Sequence, residues 1–389
     1  MKDKIKSMTF VVNDYPADGH LMMVFVQQLV HVIVNMGVKV TVVAPQSIIH
    51  AMVRGKKLLP KHSQGITEKG VKYDIYRPYI LSFGNRHFFS YIVSWFNKHS
   101  IVSILKKTYS NILYAHFWSN AIPIYEYALK NNYPIFVACG EGDNALEDLT
   151  NTMSDKMYKG LLSAVKGVIS VSTENKRKCI KYGLVLKRNI EVYPNCVNTS
   201  IFHKFDVTNL KKQLGINKDD FVIIFVGGFI PRKGPDRVAK AIEKLNDSRI
   251  KVLFIGKAFS GYAYKFNCKG IIHKGPVNHD LLPQYLNCAD VFVLPTQKEG
   301  CCNAIVEALA VGLPIISSDG AFNDDILDDR NSIRVNPNDV DAIANAIKRL
   351  KEDSILCKQM SEYSLSRHEE YSIVGRAKKI LDFINRKMI

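Results

Sequence analysis

Apolar runs of strand length alternate with helical stretches along the whole chain. In the first half we predict strands at Met8–Val12, Val38–Val43, Lys72–Tyr76, Ile112–Phe117, Ile135–Ala138, Gly167–Val171 and Ile190–Tyr193. The second half starts a new series at Phe221–Val226, Val252–Ile255, Gly270–His273, Val291–Leu294 and Leu313–Ser317. Alternation of this kind is typical of βαβ units with parallel sheets. The pattern therefore predicts an α/β protein throughout.

The two series of strands indicate two domains, since 389 residues exceed one ordinary hydrophobic core. Each series opens with an apolar strand and a glycine-bearing turn, so we expect two facing Rossmann-like domains with the active-site cleft between them. The segment YPNCVNTSIF, residues 193–202, interrupts the periodicity with proline and asparagine. We therefore predict domains over residues 1–197 and 198–370, followed by a helical tail at 371–389.

A segment near the C-terminal end of the second series carries the most specific chemistry. Glu299 and Glu307 stand eight positions apart on either side of a turn that begins at Gly300. We predict an N-cap at Asn303, a helix over Ala304–Val311, a stop at Gly312 and a strand over Leu313–Ser317. The unpaired N–H groups of the first helical turn suit a diphosphate, and each carboxylate can accept two hydroxyl hydrogen bonds from a sugar or ribose. The pattern indicates a nucleotide-sugar site.

A second motif, FVGGFIPRKG at residues 225–234, places a strand before two glycines and a basic pair. Gly227 and Gly228 allow a ligand to approach the backbone, and Arg232 and Lys233 can neutralise a diphosphate. A strand-to-helix turn with two solvent-exposed cations is the alternative interpretation. Together with the paired glutamates, the motif favours a phosphate site.

These motifs resemble retaining GT-B glycosyltransferases of glycosyltransferase family 4. EGCCNAIVEA is similar to that family's E-x7-E signature, and the resemblance implies that Glu299 contacts the donor sugar and Glu307 the nucleotide ribose. It also places the intervening residues Gly300, Cys301, Cys302 and Asn303 at the donor. The glycine loop is similar to VGR-x4-KG, in which Lys233 matches the lysine, Gly228 replaces the arginine, and Arg232 is positioned to compensate.

The first half carries weaker matches to the same family. The resemblance implies a donor-facing loop at Gly19, beside His20, and a tail helix that crosses back onto the first domain. His116 ends a predicted strand, where a buried structural histidine and a catalytic histidine that bonds sugar or acceptor are both open interpretations. In ACGEGD a cysteine replaces the family's histidine, so only acceptor-side positions for Gly140 and Glu141 follow.

The charged residues are distributed unevenly along the chain. The net charge is +17, and residues 1–200 hold 25 basic against 13 acidic residues. Residues 51–110 carry eleven lysines or arginines against two acidic residues, interleaved with phenylalanine, tyrosine and tryptophan. An anionic membrane surface or a lipid-phosphate acceptor suits this composition, and a solvated basic face over a buried helix suits it equally. No nucleic-acid-binding module is present in the sequence, so we expect no nucleic-acid partner.

The eight cysteines form no CxxC pair and no zinc spacing, so we expect free thiols and no bound metal. For Cys301 and Cys302 a thiol pKa lowered by the helix dipole would allow redox chemistry, but we interpret both as small residues that admit a ligand. No apolar run reaches the length of a membrane span, and the start MKDKIKSMTFVVND lacks a signal-peptide core. We expect a cytoplasmic protein.

The resemblance implies metal-independent, retaining transfer of a sugar from a nucleoside diphosphate to a hydroxyl of a glycan or lipid-linked acceptor, in polysaccharide or lipid-glycan assembly. No cofactor is expected, because the nucleoside-diphosphate sugar is itself the substrate. Two alternatives stay open: a degenerate GT-B protein that binds without catalysis, and a GT-B nucleotide-sugar epimerase. PNCVN, residues 194–198, is similar to the family's PNGVD element, with Cys196 and Asn198 in place of its glycine and aspartate. These departures, with those at Gly228 and Cys139, keep the first alternative open, and the intact Glu299/Glu307 pair argues against it.

Overall fold

The computed structural model describes residues 5–17, 22–53, 55, 57–82, 90–141, 145–258 and 264–388. The chain divides into an N-terminal unit, Met1–Tyr193 with Ala377–Ile389, and a C-terminal unit, Pro194–Arg376. Each unit is built on a sheet of mainly parallel strands with helices in the connections. The predicted α/β architecture is confirmed.

The N-terminal unit has an eight-stranded sheet in the order β10-β9-β8-β7-β1-β2-β5-β4 among its described residues. Its strands are β1 Ser7–Val11, β2 Lys39–Val43, β3 Gln46–Ser47, β4 His62–Ile66, β5 Lys72–Tyr76, β6 Tyr79–Ile80, β7 Leu113–His116, β8 Ile135–Cys139, β9 Val165–Ser170 and β10 Ile190–Val192. Its helices are α1 Val24–Asn35, α2 Ile48–Val53, α3 Ser90–Thr108, α4 Trp118–Ala121, α5 Tyr125–Lys130, α6 Ala145–Thr152, α7 Asp155–Ala164 and α8 Thr173–Lys181. Strand β4 pairs antiparallel with β5, and the short strands β3 and β6 pair separately.

The C-terminal unit has a six-stranded parallel sheet in the order β13-β12-β11-β14-β15-β16. Its strands are β11 Phe221–Val226, β12 Ile250–Ile255, β13 Ile271–Gly275, β14 Val291–Leu294, β15 Ile315–Ser318 and β16 Ser332–Val335. Its helices are α9 Thr208–Gln213, α10 Pro235–Leu245, α11 Leu282–Cys288, α12 Asn303–Ala310, α13 Val340–Glu352 and α14 Ser354–Ser366, and α15 Ile373–Lys387 leads out of it. Phe225, Phe254 and Phe292 are fully buried in the core of this sheet.

The two crossings between units fall close to the predicted boundaries of 197/198 and 370/371. The structure divides at Tyr193/Pro194 and at Arg376/Ala377, because both crossing segments pair with each other inside the C-terminal unit. Val197 donates its N–H to the carbonyl of Tyr371, and Ile373 donates to the carbonyl of Val197. Beyond Ala377, helix α15 belongs to the N-terminal unit, where Phe383 packs 6.2 Å from Phe136 between ring centroids.

Candidate functional site

The two motifs of the C-terminal unit lie in loops that follow neighbouring strands. Strand β11 pairs in parallel with β14 through Ile223↔Val291 and Ile224↔Phe292. Because the carboxyl ends of parallel strands meet at one edge of a sheet, the loop after Val226 and the loop after Leu294 start side by side. This edge is where open α/β sheets bind ligands.

Glu299 is the meeting point of the two loops. Its Oε1 accepts hydrogen bonds from Arg232 Nη1 at 2.9 Å and from Thr296 Oγ1 at 2.8 Å. Lys233 Nζ lies 2.5 Å from the same oxygen. Three donors on one carboxylate oxygen fix the side chain of Glu299, so the structure brings together the acidic and basic residues that the sequence predicted at the donor.

The two cations differ in their surroundings. The Lys233 side chain is 14% exposed and lies 3.9 Å from Cys302 Sγ, whereas Arg232 is 38% exposed and also donates to the carbonyl of Lys298. Burial alone would lower the pKa of Lys233, but the charge and hydrogen bond of the neighbouring Glu299 carboxylate help to raise that pKa above its ordinary value. Lys233 is therefore a fixed positive charge, while Arg232 has more freedom to reorient.

A buried arginine that the motif analysis missed holds the two loops in place. The guanidinium of Arg237, in the first turn of α10, donates to the carbonyls of Pro231 and Pro295 at 2.8 Å each and to that of Arg232 at 3.4 Å. Burial lowers its pKa. Hydrogen bonds from a charged donor satisfy carbonyls that the loops leave unpaired. In the sequence, the only indication of this role is that Arg237 stands three residues after Gly234, the last residue of the glycine motif.

The glycine turn requires a second glycine from another strand. Gly256 follows β12 with φ of +150°, and a Cβ on it would lie 1.9 Å from the carbonyl oxygen of Gly227. Gly227 in turn donates its N–H to the carbonyl of Ile255. A side chain at position 256 would displace the loop that carries Gly227 and Gly228, so Gly256 belongs to the site's framework.

Helix α12 begins one residue earlier than predicted. Its N-cap is Cys302, and Asn303 is the first helical residue, which corrects the predicted cap. The Asn303 side chain is used elsewhere, since its Oδ1 accepts from Asn195 Nδ2 at 2.8 Å. The same Asn195 nitrogen donates to the carbonyl of Cys301 at 3.1 Å. The segment around residue 195 therefore holds the start of α12, a contact that no sequence pattern predicted.

The second glutamate lies inside α12, and β15 starts two residues later than predicted. Glu307 is buried, and its Oε1 is 3.0 Å from His279 Nε2. The hydrogen bond to Glu307 raises the pKa of His279, while burial lowers it less. Gly312, with φ of +82°, follows the helix as predicted and lets the chain turn into β15. Glu299 therefore precedes the helix, and Glu307 occupies its second turn.

The thiols at the start of α12 have raised pKa values, whereas a redox-active thiol has a lowered pKa. Burial raises the pKa of Cys301 to about 12 and also raises the pKa of Cys302. Thiols of this kind are protonated at neutral pH and unreactive. All eight cysteines are free, as expected.

The candidates of the N-terminal unit are only partly within the described residues. Gly19, like the neighbouring His20, lies outside the described residues. His116 is buried at the end of β7, and Phe117 after it has φ of +79°, a conformation that costs energy for a residue other than glycine. The ring of His116 lies 5.5 Å from that of Phe25 between centroids.

Glu141 supports the local backbone. Its Oε1 accepts the N–H of Trp118 at 2.6 Å and its Oε2 the N–H of Gly140 at 3.0 Å. Burial raises the pKa of its carboxyl. The carboxylate thereby stabilises the start of α4 directly after His116, and the acceptor-side role of Gly140 and Glu141 stays a prediction.

Among the residues that the structure describes, no three His, Cys, Asp or Glu side chains are grouped so that they could hold a metal ion. Within the same residues, no helix has the length and apolar character required to cross a bilayer.

Comparison with known families gives a match in the C-terminal unit. Residues 206–367 match the family model described as glycosyl transferases group 1. This range contains Arg232, Lys233, Glu299 and Glu307. The residues that the structure gathers at the sheet edge therefore lie inside the matched range.

Two curated relatives extend the similarity over most of the chain. TuaC of Bacillus subtilis (strain 168), a glycosyltransferase named for teichuronic acid biosynthesis, is 25% identical over 354 residues, which cover 87% of this chain and 86% of TuaC. The Escherichia coli UDP-Gal:alpha-D-GlcNAc-diphosphoundecaprenol alpha-1,3-galactosyltransferase is 28% identical over 303 residues, with coverages of 73% and 77%.

A solved structure shows the fold. HepE of Anabaena in complex with UDP superimposes with a TM-score of 0.72 at 13% identity, covering 98% of this chain and 99% of HepE. The likeness confirms the predicted GT-B architecture of two parallel-sheet units.

Proposed function

We propose that the chain, whose C-terminal unit carries the group 1 match and whose fold is GT-B, is a glycosyltransferase that transfers a sugar from a nucleoside-diphosphate donor with retention of anomeric configuration. The observation that carries the proposal is the contact of Arg232 and Lys233 with Glu299 at the edge of the sheet. A diphosphate needs fixed cations, and a sugar needs a fixed carboxylate. This cluster supplies two cations and one carboxylate, and each cation lies within hydrogen-bond distance of the carboxylate.

In this mechanism the acceptor hydroxyl oxygen bonds to the anomeric carbon as the bond from that carbon to the phosphate oxygen breaks. The departing phosphate takes the acceptor proton, on the same face of the sugar. Lys233 and Arg232 would stabilise the negative charge that develops on the phosphate, and Glu299 would orient the sugar through its hydroxyls. Glu307 would accept hydrogen bonds from the ribose. No metal is required in this scheme, because the cations are supplied by the chain.

The names of the similar proteins guide the choice of substrates. UDP is bound in HepE, and the E. coli relative is named for a UDP-sugar and a diphosphoundecaprenol-linked acceptor. We propose a UDP-sugar donor, a lipid-linked glycan acceptor and a role in polysaccharide assembly at the cytoplasmic face of a membrane. The basic and aromatic composition of residues 51–110 supports the membrane part of this proposal.

A panel of nucleotide sugars tests the donor, because a ligand that binds the folded state raises its melting temperature. We expect stabilisation by UDP-sugars above that by GDP- and ADP-sugars. The best donor is then incubated with diphosphoundecaprenol-linked GlcNAc in the presence of EDTA. Transfer with the donor's anomeric configuration, read by NMR, supports the proposal.

Other outcomes identify the alternatives. Donor binding without transfer to any acceptor of the panel would indicate a binding protein without catalysis. Conversion of the donor sugar without an acceptor would indicate an epimerase. Inverted configuration in the product, or loss of all transfer on chelation, would refute the retaining and metal-independent parts separately.

A further inference from the structure

Helix α3 of the N-terminal unit exposes an aromatic and basic stripe. Tyr91, Trp95 and His99 follow one another at four-residue spacing, and Val102 and Lys106 continue on the same face. Tyr91 is 83% exposed and Trp95 is 53% exposed, while Ile101 and Leu105 bury another face in the core. The 19 residues of α3 contain no aspartate or glutamate. An exposed stripe of this composition is unusual for a face that only meets water.

The C-terminal half of this stripe borders a cavity of about 650 Å³. Lys98, Lys106 and Lys130 line it together with Tyr109, Tyr127 and Tyr133. Glu126 is the acidic member of the lining, and it is paired with Lys98. Among the described residues, Lys106 and Lys130 have no ion-pair partner, so the cavity keeps a positive charge.

We propose that this surface, residues 91–108 of α3 with the cavity against α5, docks the chain on an anionic bilayer, with a lipid phosphate in the cavity. Tryptophan and tyrosine favour the boundary between headgroups and acyl chains, because each joins an apolar ring to a polar group. Lysines beside them pair with lipid phosphates, and their stems lie along apolar surface. The combination fits a lipid surface better than a nucleic acid, which would need no exposed isoleucine such as Ile92.

This inference rests on the membrane association proposed above. It narrows the membrane-binding surface from residues 51–110 to helix α3. It also adds Lys130 and Tyr133, which lie outside that range. Because vesicle binding and donor binding are measured separately, a failure of one proposal leaves the other testable.

The sequence supplies its own probe. The chain has two tryptophans, Trp95 on the proposed surface and Trp118, which is 1% exposed in the core. With phosphatidylglycerol vesicles we expect a blue shift of tryptophan emission and quenching by brominated acyl chains, and neither with phosphatidylcholine. Trp95→Phe should remove both signals while vesicle cosedimentation persists. Undiminished quenching in that variant would mean that the signal comes from Trp118 and that Trp95 does not contact the bilayer. That result would overturn the proposal.

Charge reversal tests the cavity. In Lys106→Glu/Lys130→Glu we expect vesicle affinity to fall about tenfold or more, since each lysine near an anionic surface contributes to binding. The matched control, Lys181→Glu/Lys187→Glu, reverses two exposed lysines elsewhere in the same unit and should bind nearly as the parent does. Melting temperature and donor affinity without lipid should be unchanged in both. Equal loss in both variants would indicate nonspecific attraction and overturn the cavity.

Two further ligands separate other anions from a bilayer. Inorganic pyrophosphate that binds the parent chain but not Lys106→Glu/Lys130→Glu, without any vesicle binding, would assign the cavity to a soluble anion. Single-stranded RNA that binds with the same dependence, in place of vesicles, would assign it to nucleic acid. Either result would overturn docking on a membrane.

Discussion

In the C-terminal unit two predicted cations contact one predicted carboxylate, whereas in the N-terminal unit the predicted carboxylate Glu141 holds the unit's own backbone. Glu299 contacts Arg232 and Lys233, which come from a different loop 66 or more positions earlier in the chain. Glu141, in contrast, accepts two N–H groups from Trp118 and Gly140. A carboxylate held by side-chain cations can exchange partners with a ligand, but one that caps backbone donors cannot leave without a structural cost.

We expect the largest loss of activity from substitutions in the cluster of Arg232, Lys233 and Glu299 in the C-terminal unit. Lys233→Ala and Glu299→Ala should each lower transfer by about 10² to 10³, the usual cost of removing one group that stabilises developing charge. Donor affinity by calorimetry should fall with them. The control is Lys240→Ala, an exposed lysine on α10, which should keep the parent rate. If both site variants kept more than half the rate, the cluster would not be the donor site.

A change in the N-terminal unit should affect folding. Glu141→Ala leaves the N–H groups of Trp118 and Gly140 without their acceptor, so the free energy of unfolding should fall by about 1 to 3 kcal/mol. Urea denaturation measures this loss. Glu141→Gln keeps one acceptor oxygen and should recover part of it, and exposed Asp148→Ala is the control. Unchanged stability with abolished transfer would instead make Glu141 a direct participant.

More of the C-terminal cluster than of the N-terminal contacts could be predicted from the sequence, because its residues stand in two short motifs that directly follow predicted strands. Strands β11 and β14 were predicted with their observed bounds, and the motif residues follow them directly. Arg237 and Asn195 were missed because their partners are backbone carbonyls and an amide in other segments, which leave no pattern of their own. Strand β4, HSQGI, was missed because its pairing with β5 supplies the order that its polar composition does not.

Arg232 allows a finer test inside the cluster. It is more exposed than Lys233, so Arg232→Ala should lower donor affinity by about tenfold, less than Lys233→Ala, because exposed charges are screened. If Arg232 supplies the charge that Gly228 lacks, Gly228→Arg in the Arg232→Ala background should restore part of the affinity. Gly228 is not among the glycines with positive φ, so its backbone conformation does not require glycine. An effect of Arg232→Ala equal to that of Lys233→Ala would remove the distinction between the two cations.

The smallest expected effect concerns His279, which holds Glu307. The folded-state pKa of His279 is raised, chiefly by its hydrogen bond to Glu307, so the ion pair is fully present below the ordinary histidine pKa of about 6.5 and is lost as pH rises through the folded value. Asp280 also favours the charged ring, and Phe202 lies 5.4 Å from it between ring centroids. The donor dissociation constant should therefore increase by about two- to threefold between pH 6 and pH 8, since the imidazolium fixes Glu307, the proposed ribose ligand.

The variant His279→Gln can still donate to Glu307 but cannot become charged, so it should bind the donor with a flat pH profile over that range. Calorimetry at each pH separates this effect from changes in turnover. The matched control is His203→Gln, an exposed histidine in the same unit, whose profile should follow that of the parent chain. Equal pH slopes in His279→Gln and in the parent would mean that Glu307 is held in place without the histidine charge. The buried carboxylate of the C-terminal unit would then resemble Glu141, fixed by its surroundings and not by a titrating partner.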